Sequence, residues 1–132
     1  MSKRYGRVVQ ILVVDDDALI REIAARLLTS AGYDVLTAVD GDEGLELYSR
    51  KQPDLIVLDL MMPKVSGFDV VRKIRDNSQA GNTPILIMSA LITGEEMDAS
   101  IRALDVSGFI DKTQVVKSLV SRVEKILSES TS

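Results

Sequence analysis

Val8 to Val14 (VVQILVV) is an almost unbroken apolar run, rich in β-branched residues, that stops at three consecutive aspartates. A strand apolar on both faces must be covered on both faces, and in practice that means a parallel sheet with helices on each side. The pattern then changes period. Ile20, Ile23, Ala24, Leu27 and Leu28 recur at helical spacing, and Gly32 closes that helix.

The alternation repeats along the chain. Asp34 to Ala38 reads as a short strand, and Asp40 with Glu43 opens a helix that runs to about Arg50. Gln52-Pro53 breaks that helix, and Asp54 to Asp59 (DLIVLD) is the next buried strand. Met62-Pro63 and Ser66-Gly67 punctuate a loop, after which Phe68, Val71 and Ile74 mark an apolar helix face. Asn77 to Thr83 is a polar loop, and Pro84 leads into the strand Ile85 to Met88. Thr93 with Glu96 has the spacing of a capping box for a helix reaching about Leu104. Ser107 to Asp111 is a weak fifth strand, and Val116, Leu119, Val120, Val123 and Ile126 line a last helix. Parallel strands need crossover helices, so five strand–helix units with short connections imply a doubly wound α/β sheet. No linker or composition shift divides the chain, so the 132 residues are expected to form one domain with a core of about 9–127. Residues 1–7 and the Ser-rich 128–132 are expected to be flexible tails.

Composition narrows the chemistry. There is no cysteine and no histidine, which excludes disulfides, thiolate or imidazole metal sites, Ser-His-Asp triads and a phosphohistidine of the chain's own. A net charge of -4, from 16 basic and 20 acidic residues, offers no bulk basic surface for nucleic acid. No apolar stretch is long enough to span a bilayer and none follows the N-terminal charges as a signal peptide would. The expectation is a cytoplasmic protein without direct contact to nucleic acid or membrane.

In open α/β sheets ligands bind beyond the carboxyl ends of the strands. The residues there are Asp15, Asp16 and Asp17 after the first strand, Asp59 after the third, Ser89 and Ala90 after the fourth, and Lys112 after the fifth. Acids at a helix start are commonly caps, and that is the reading for Asp17. Asp15 and Asp16 read differently, because Asp59 ends an apolar strand on the same edge. Clustered carboxylates raise one another's pKa unless a cation neutralises them. Oxygen donors without His or Cys favour Mg²⁺ (Mn²⁺ as substitute) over zinc. A lysine or serine at such a position is often only a surface or cap residue; facing four acids, Lys112 suits a salt bridge or a phosphate contact.

Four segments in order, ILVVDDD (Ile11 to Asp17), DLIVLDLMMPKVSGFDVVRKIR (Asp54 to Arg75), PILIMSA (Pro84 to Ala90) and GFIDK (Gly108 to Lys112), resemble the receiver domains of two-component response regulators. The resemblance covers roughly Val9 to Leu127 and is closest to single-domain chemotaxis-type regulators. It implies a flavodoxin-like (βα)5 sheet of strand order 2-1-3-4-5. It also implies that Asp59 accepts phosphate, and that Asp15, Asp16, Asp59 and the Met61 carbonyl hold Mg²⁺, Asp15 mainly through water. Lys112 then contacts carboxylate and phosphoryl group, Ser89 is the switch hydroxyl and Phe109 the switch aromatic. The implied partners are a sensor histidine kinase or histidine phosphotransfer protein and a downstream protein target. The output surface would be the fourth helix, fifth strand and fifth helix, where a homodimer could also form.

The implied activity is a signalling switch, with no reaction beyond its own phosphotransfer and autodephosphorylation. Met61 and Leu91, two residues beyond Asp59 and Ser89, cannot readily hydrogen-bond an attacking water, so self-dephosphorylation is expected to be slow. Other readings are a receiver cut from a larger regulator with a DNA-binding or enzymatic output, and a pseudo-receiver that is never phosphorylated. A small phosphatase of the haloacid dehalogenase type would want an acid where Met61 stands, and a flavin-binding fold would meet a repelling acid cluster. The chain departs from the receiver pattern at Thr113, where proline usually follows the lysine, often through a cis bond. Either the loop is trans and reshaped, or a cis bond is carried at about 2.5–4 kcal/mol, or Thr113 caps the last helix.

Overall fold

Five parallel strands stack in the order β2-β1-β3-β4-β5, with β1 Gln10–Val14, β2 Asp34–Ala38, β3 Leu55–Leu58, β4 Ile85–Ser89 and β5 Gly108–Asp111. The helices between and after them are α1 Ala18–Ser30, α2 Gly41–Lys51, α3 Gly67–Arg75, α4 Glu95–Arg102 and α5 Val115–Ser130. This is the expected doubly wound sheet in the expected order. The computed structural model describes residues 3–4, 6–76, 81–90 and 95–130. The expected capping residue Thr93 and the hydrolysis-tuning position Leu91 lie outside the described residues, as does part of the loop Asn77 to Thr83.

Successive residues of a strand point to opposite faces, and the sheet sorts its side chains accordingly. Ile11, Val13, Leu55, Val57, Leu86 and Met88 pack under α1 and α5, against Leu28, Leu119 and Val123. Leu12, Val14, Ile56, Leu58 and Ile87 pack on the other face against Tyr48, Val71 and Ile74. Each fully buried aliphatic side chain contributes roughly 1.5–3 kcal/mol by leaving water. Because the apolar side chains are consumed by the two faces, the polar residues that follow each strand are left at the sheet's carboxyl edge.

Local signals act as expected at most helix starts. Asp17 caps α1, accepting from the Leu19 and Ile20 amides. Asp40 caps α2 by accepting from the Glu43 amide at 2.9 Å, and the Val39 amide in turn donates to Glu43 Oε1 at 2.8 Å. Gly32 takes φ +98 where the chain leaves α1.

Both ends differ from the expected tails. Lys3–Arg4 pairs antiparallel with Arg7–Val8, so the first apolar run is split and β1 begins at Gln10. Polar bonds flank this break: the Arg7 guanidinium binds both carboxylate oxygens of Asp54, and Asp54 also accepts from the Gln10 amide at 2.8 Å. At the other end α5 continues to Ser130, and the Ser128 hydroxyl donates to the Lys125 carbonyl at 2.8 Å.

Candidate functional site

Each strand of the sheet's centre delivers one polar residue to the same edge. Asp15 follows β1, Asp59 follows β3 and Ser89 ends β4; all are buried, with Asp15 at 0% and Asp59 at 2% exposure. Asp16 is exposed beside them. One carboxylate oxygen from each of Asp15, Asp16 and Asp59 lies within 4.8 Å of the others. Lys112, just beyond β5, reaches across with Nζ 3.1 Å from Asp59 Oδ2 and donates to Asp15 Oδ1 at 3.2 Å. The Ser89 hydroxyl donates to Asp59 Oδ1 at 3.3 Å, and the Met61 amide to the same oxygen at 3.2 Å. All five polar side chains singled out in the sequence therefore meet at one point, and Met61 joins them by its backbone.

The acid loop after β1 is tied down from several sides. The Asp15 amide donates to the Ala38 carbonyl at 3.2 Å, and the Asp17 amide donates to Asp15 Oδ1 at 2.9 Å. Arg21, one turn into α1, donates from Nη1 to the Asp15 carbonyl at 2.7 Å. Sequence reasoning missed Arg21. Its only signal is a basic residue one helical turn beyond the capping Asp17, facing back toward the acids.

One atom stands out. Asp15 Oδ2 is buried and makes no hydrogen bond among the described residues; its ionic neighbour is the Lys112 ammonium, 3.0 Å away. A carboxylate oxygen with one ionic neighbour and no hydrogen bond keeps lone-pair sites open to a further cation. Set among three carboxylates with no nitrogen or sulfur donor, it fits a hard divalent cation of the Mg²⁺ type. Burial, the largest influence, raises the Asp15 carboxyl from 3.8 to about 6, and the Asp59 charge adds to this against the Asp17 amide and Lys112. For Lys112 burial works the other way, but the bonds and charges of Asp15 and Asp59 outweigh it and hold the ammonium above its ordinary 10.5.

A pH dependence follows. The folded Asp15 carboxyl binds its proton more tightly than the unfolded one, so its stabilising contribution is complete below about 3.8 and lost as pH rises through about 6. In urea titrations without divalent metal, Asp15→Asn should gain on the wild type by on the order of 2 kcal/mol between about pH 4 and pH 7. A difference that does not change with pH would place the Asp15 carboxyl in the ordinary range.

Phe109 is 38% exposed on β5 and borders a cavity of about 250 Å³ also lined by Ile87, Ser89, Ala90 and Ile101.

The turn after Lys112 resolves the Thr113 alternatives. There is no cis peptide among the described residues. Lys112–Gln114 forms a 3-10 turn, and its cap is Asp111, whose Oδ1 accepts from the Thr113 amide and from the Thr113 hydroxyl, both at 2.8 Å. The loop is trans and reshaped, and Thr113 is the capped residue, not the cap. These two bonds lower the pKa of the Asp111 carboxyl.

Comparison with known proteins agrees with this geometry. The family model described as "Response regulator receiver domain" matches residues 11–124. A solved chemotaxis protein, CheY4 of Vibrio cholerae, superposes with TM-score 0.81 at 32% identity, covering 89% of this chain and 98% of that one. The response regulator TrrA of Thermotoga maritima, solved in complex with Mg²⁺ and a beryllium fluoride, superposes with TM-score 0.76 at 32% identity, covering 90% of this chain and 99% of that one. Among sequence relatives, the DNA-binding dual master transcriptional regulator RpaA of Synechocystis is 39% identical over 120 residues, covering 89% of this chain and 48% of its own. The chain spans about half the length of the curated relatives it matches.

Proposed function

The chain belongs to the response regulator receiver domain family, and from that premise we propose that it is the phosphoacceptor switch of a histidine-kinase relay, taking its phosphate on Asp59. The observation that carries this reading is one amine, Lys112 Nζ, lying within 3.2 Å of both buried acids, Asp15 and Asp59. A structural salt bridge would need one carboxylate; two buried acids sharing one lysine, with an exposed third acid beside them, suit a site built for a further cation and an anion.

In this reading Asp15, Asp16, Asp59 and the Met61 carbonyl would hold Mg²⁺, which when bound offsets carboxylate charge and the charge on transferred phosphoryl oxygens. A lone pair on an Asp59 carboxylate oxygen forms the new O–P bond while the bond from phosphorus to the donor's leaving group breaks, its electron pair departing with that group. A carboxylate is a weak nucleophile, so the chain's work is positioning. The Met61 amide and Ser89 hydroxyl fix Asp59 Oδ1, and Lys112 supplies a permanent positive charge beside Oδ2. After transfer, Ser89 can turn its hydroxyl to a phosphoryl oxygen, and the adjoining cavity can admit the Phe109 ring. That couples phosphate to the surface formed by α4, β5 and α5.

Incubation with a small phosphodonor and Mg²⁺, followed by intact mass, tests the reading; one phosphate adduct per chain is expected. The Met61 side chain is 58% exposed and can donate no hydrogen bond to a water attacking the acyl phosphate. The adduct should therefore decay slowly, and a lifetime of only seconds would count against this account of Met61.

The partners in this reading are a histidine kinase or histidine phosphotransfer protein upstream and a protein target downstream. A second reading has a specific basis: relatives such as RpaA are transcriptional regulators, and this chain matches only about half of each. In that case the same switch would control a DNA-binding output in the rest of a longer protein.

A further inference from the structure

Lys112 must place an amine at the end of a long flexible side chain between two buried carboxylates. That placement depends on the backbone from which it springs. The backbone is held on one side by the sheet, where Asp111 is in register with Ser89, and on the other by Val115, which is buried and whose amide donates to the Lys112 carbonyl. Between these anchors the turn is tied by side chain through Asp111 and Thr113. Asp111 Oδ1 receives two bonds from Thr113, one from the amide and one from the hydroxyl, each 2.8 Å long. Both Thr113 and the tie are exposed, so neither is explained by core packing.

We propose that Asp111 and Thr113 form a clamp whose role is to position Lys112 for phosphoryl transfer, the Thr113 hydroxyl being a working part of it. The inference rests on the reading of Asp59 as phosphoacceptor. Two bonds converging on one carboxylate oxygen close the turn as a chelate; one bond alone leaves the Lys112 backbone free to rock. A shift on the order of 1 Å in a positioned group costs up to about a hundredfold in rate, and loss of one of the two bonds should cost less. The clamp bonds directly to neither the acid cluster nor the core, so its loss should act on the transfer step through Lys112 and should not weaken cation binding.

The test compares wild type, Thr113→Val, Thr113→Ser and Asp111→Ala, each as the full chain with a small phosphodonor and Mg²⁺. Thr113→Val keeps shape and amide but removes the hydroxyl, and its maximal phosphorylation rate should fall about tenfold. Mg²⁺ affinity, measured by calorimetry, should not weaken. Thr113→Ser restores the hydroxyl and should recover most of the rate, which a mere packing role of the Thr113 methyl would not allow. Asp111→Ala removes both bonds and should fall further than Thr113→Val. Wild-type rates in Thr113→Val, or equal losses in the Ser and Val variants, would overturn the clamp while leaving Asp59 as acceptor. No adduct on the wild type with any donor would overturn both.

Discussion

Asp59→Asn is expected to abolish the phosphate adduct altogether, the largest functional effect of any single change in this chain. Asparagine keeps the shape of the side chain and can still accept from the Met61 amide and the Ser89 hydroxyl. It removes the charged lone pairs that would form the bond to phosphorus, and an amide oxygen does not replace them. The fold should survive, because Asp59 lies just beyond β3, the apolar faces of the sheet are untouched, and the second acid, Asp15, still has Lys112. Relief of the repulsion between Asp15 and Asp59 also offsets part of what Lys112 loses. Mg²⁺ should bind the variant more weakly, since one of three clustered carboxylates is neutral. Intact mass after exposure to a small phosphodonor reads the outcome. The proposal is falsified if the variant carries the same adduct as the wild type, because another residue must then be the acceptor.

Much of this site was legible beforehand because it follows from two simple periodicities. Strands buried on both faces must end somewhere, and the residue after each end is free to be polar; Asp15, Asp59 and Ser89 were found by that rule alone, and Lys112 by the same rule at an edge strand. Asp17, Asp40 and Glu43 were legible because capping is local, with donor and acceptor two to four residues apart. What stayed hidden is of another kind. Arg7 and Asp54 are 47 residues apart, and their pairing sits beside the point where the first apolar run divides between Val8 and Gln10. Arg75 donates to the carbonyls of Gly81, Thr83 and Asp105, and so ties the end of α3 to the loops before β4 and β5. Such contacts run from side chain to distant backbone and have no period to read. Asp111 and Thr113 were hidden for a different reason: two residues apart, they are local enough to read, but the Thr113 side chain can cap or be capped, and only the backbone decides which.

Gly67 is the position where fold and site are most tightly joined, and Gly67→Ala is expected to have the largest effect on stability. Its φ is not in the left-handed region, so the requirement is space and not conformation. A Cβ built there would lie 2.3 Å from the Asp59 carbonyl oxygen and 2.5 Å from the Leu60 Cα, both backbone atoms that cannot swing aside. The reason for the close approach is visible in the hydrogen bonding: the Gly67 amide donates to the Leu60 carbonyl at 2.8 Å, drawing the first residue of α3 onto the chain that carries Asp59. Forcing a methyl group into that contact must push α3 away from β3 or shift Asp59 itself. Overpacking of this kind costs about 3 kcal/mol, or roughly 10 °C in the unfolding midpoint of a domain this size. Gly108→Ala is the natural control, since a Cβ there meets only the Leu86 and Ile126 side-chain ends at 3.6 Å and 3.9 Å, ordinary contact distances. Urea titrations should show the Gly67 variant far below the wild type and the Gly108 variant within about 1 kcal/mol of it. Because the displaced backbone is that of Asp59, whatever Gly67→Ala protein remains folded should also phosphorylate more slowly. A variant as stable as the wild type would mean that the loop between β3 and α3 has slack, and that the position of Asp59 is set by Lys112, Ser89 and the Met61 amide alone.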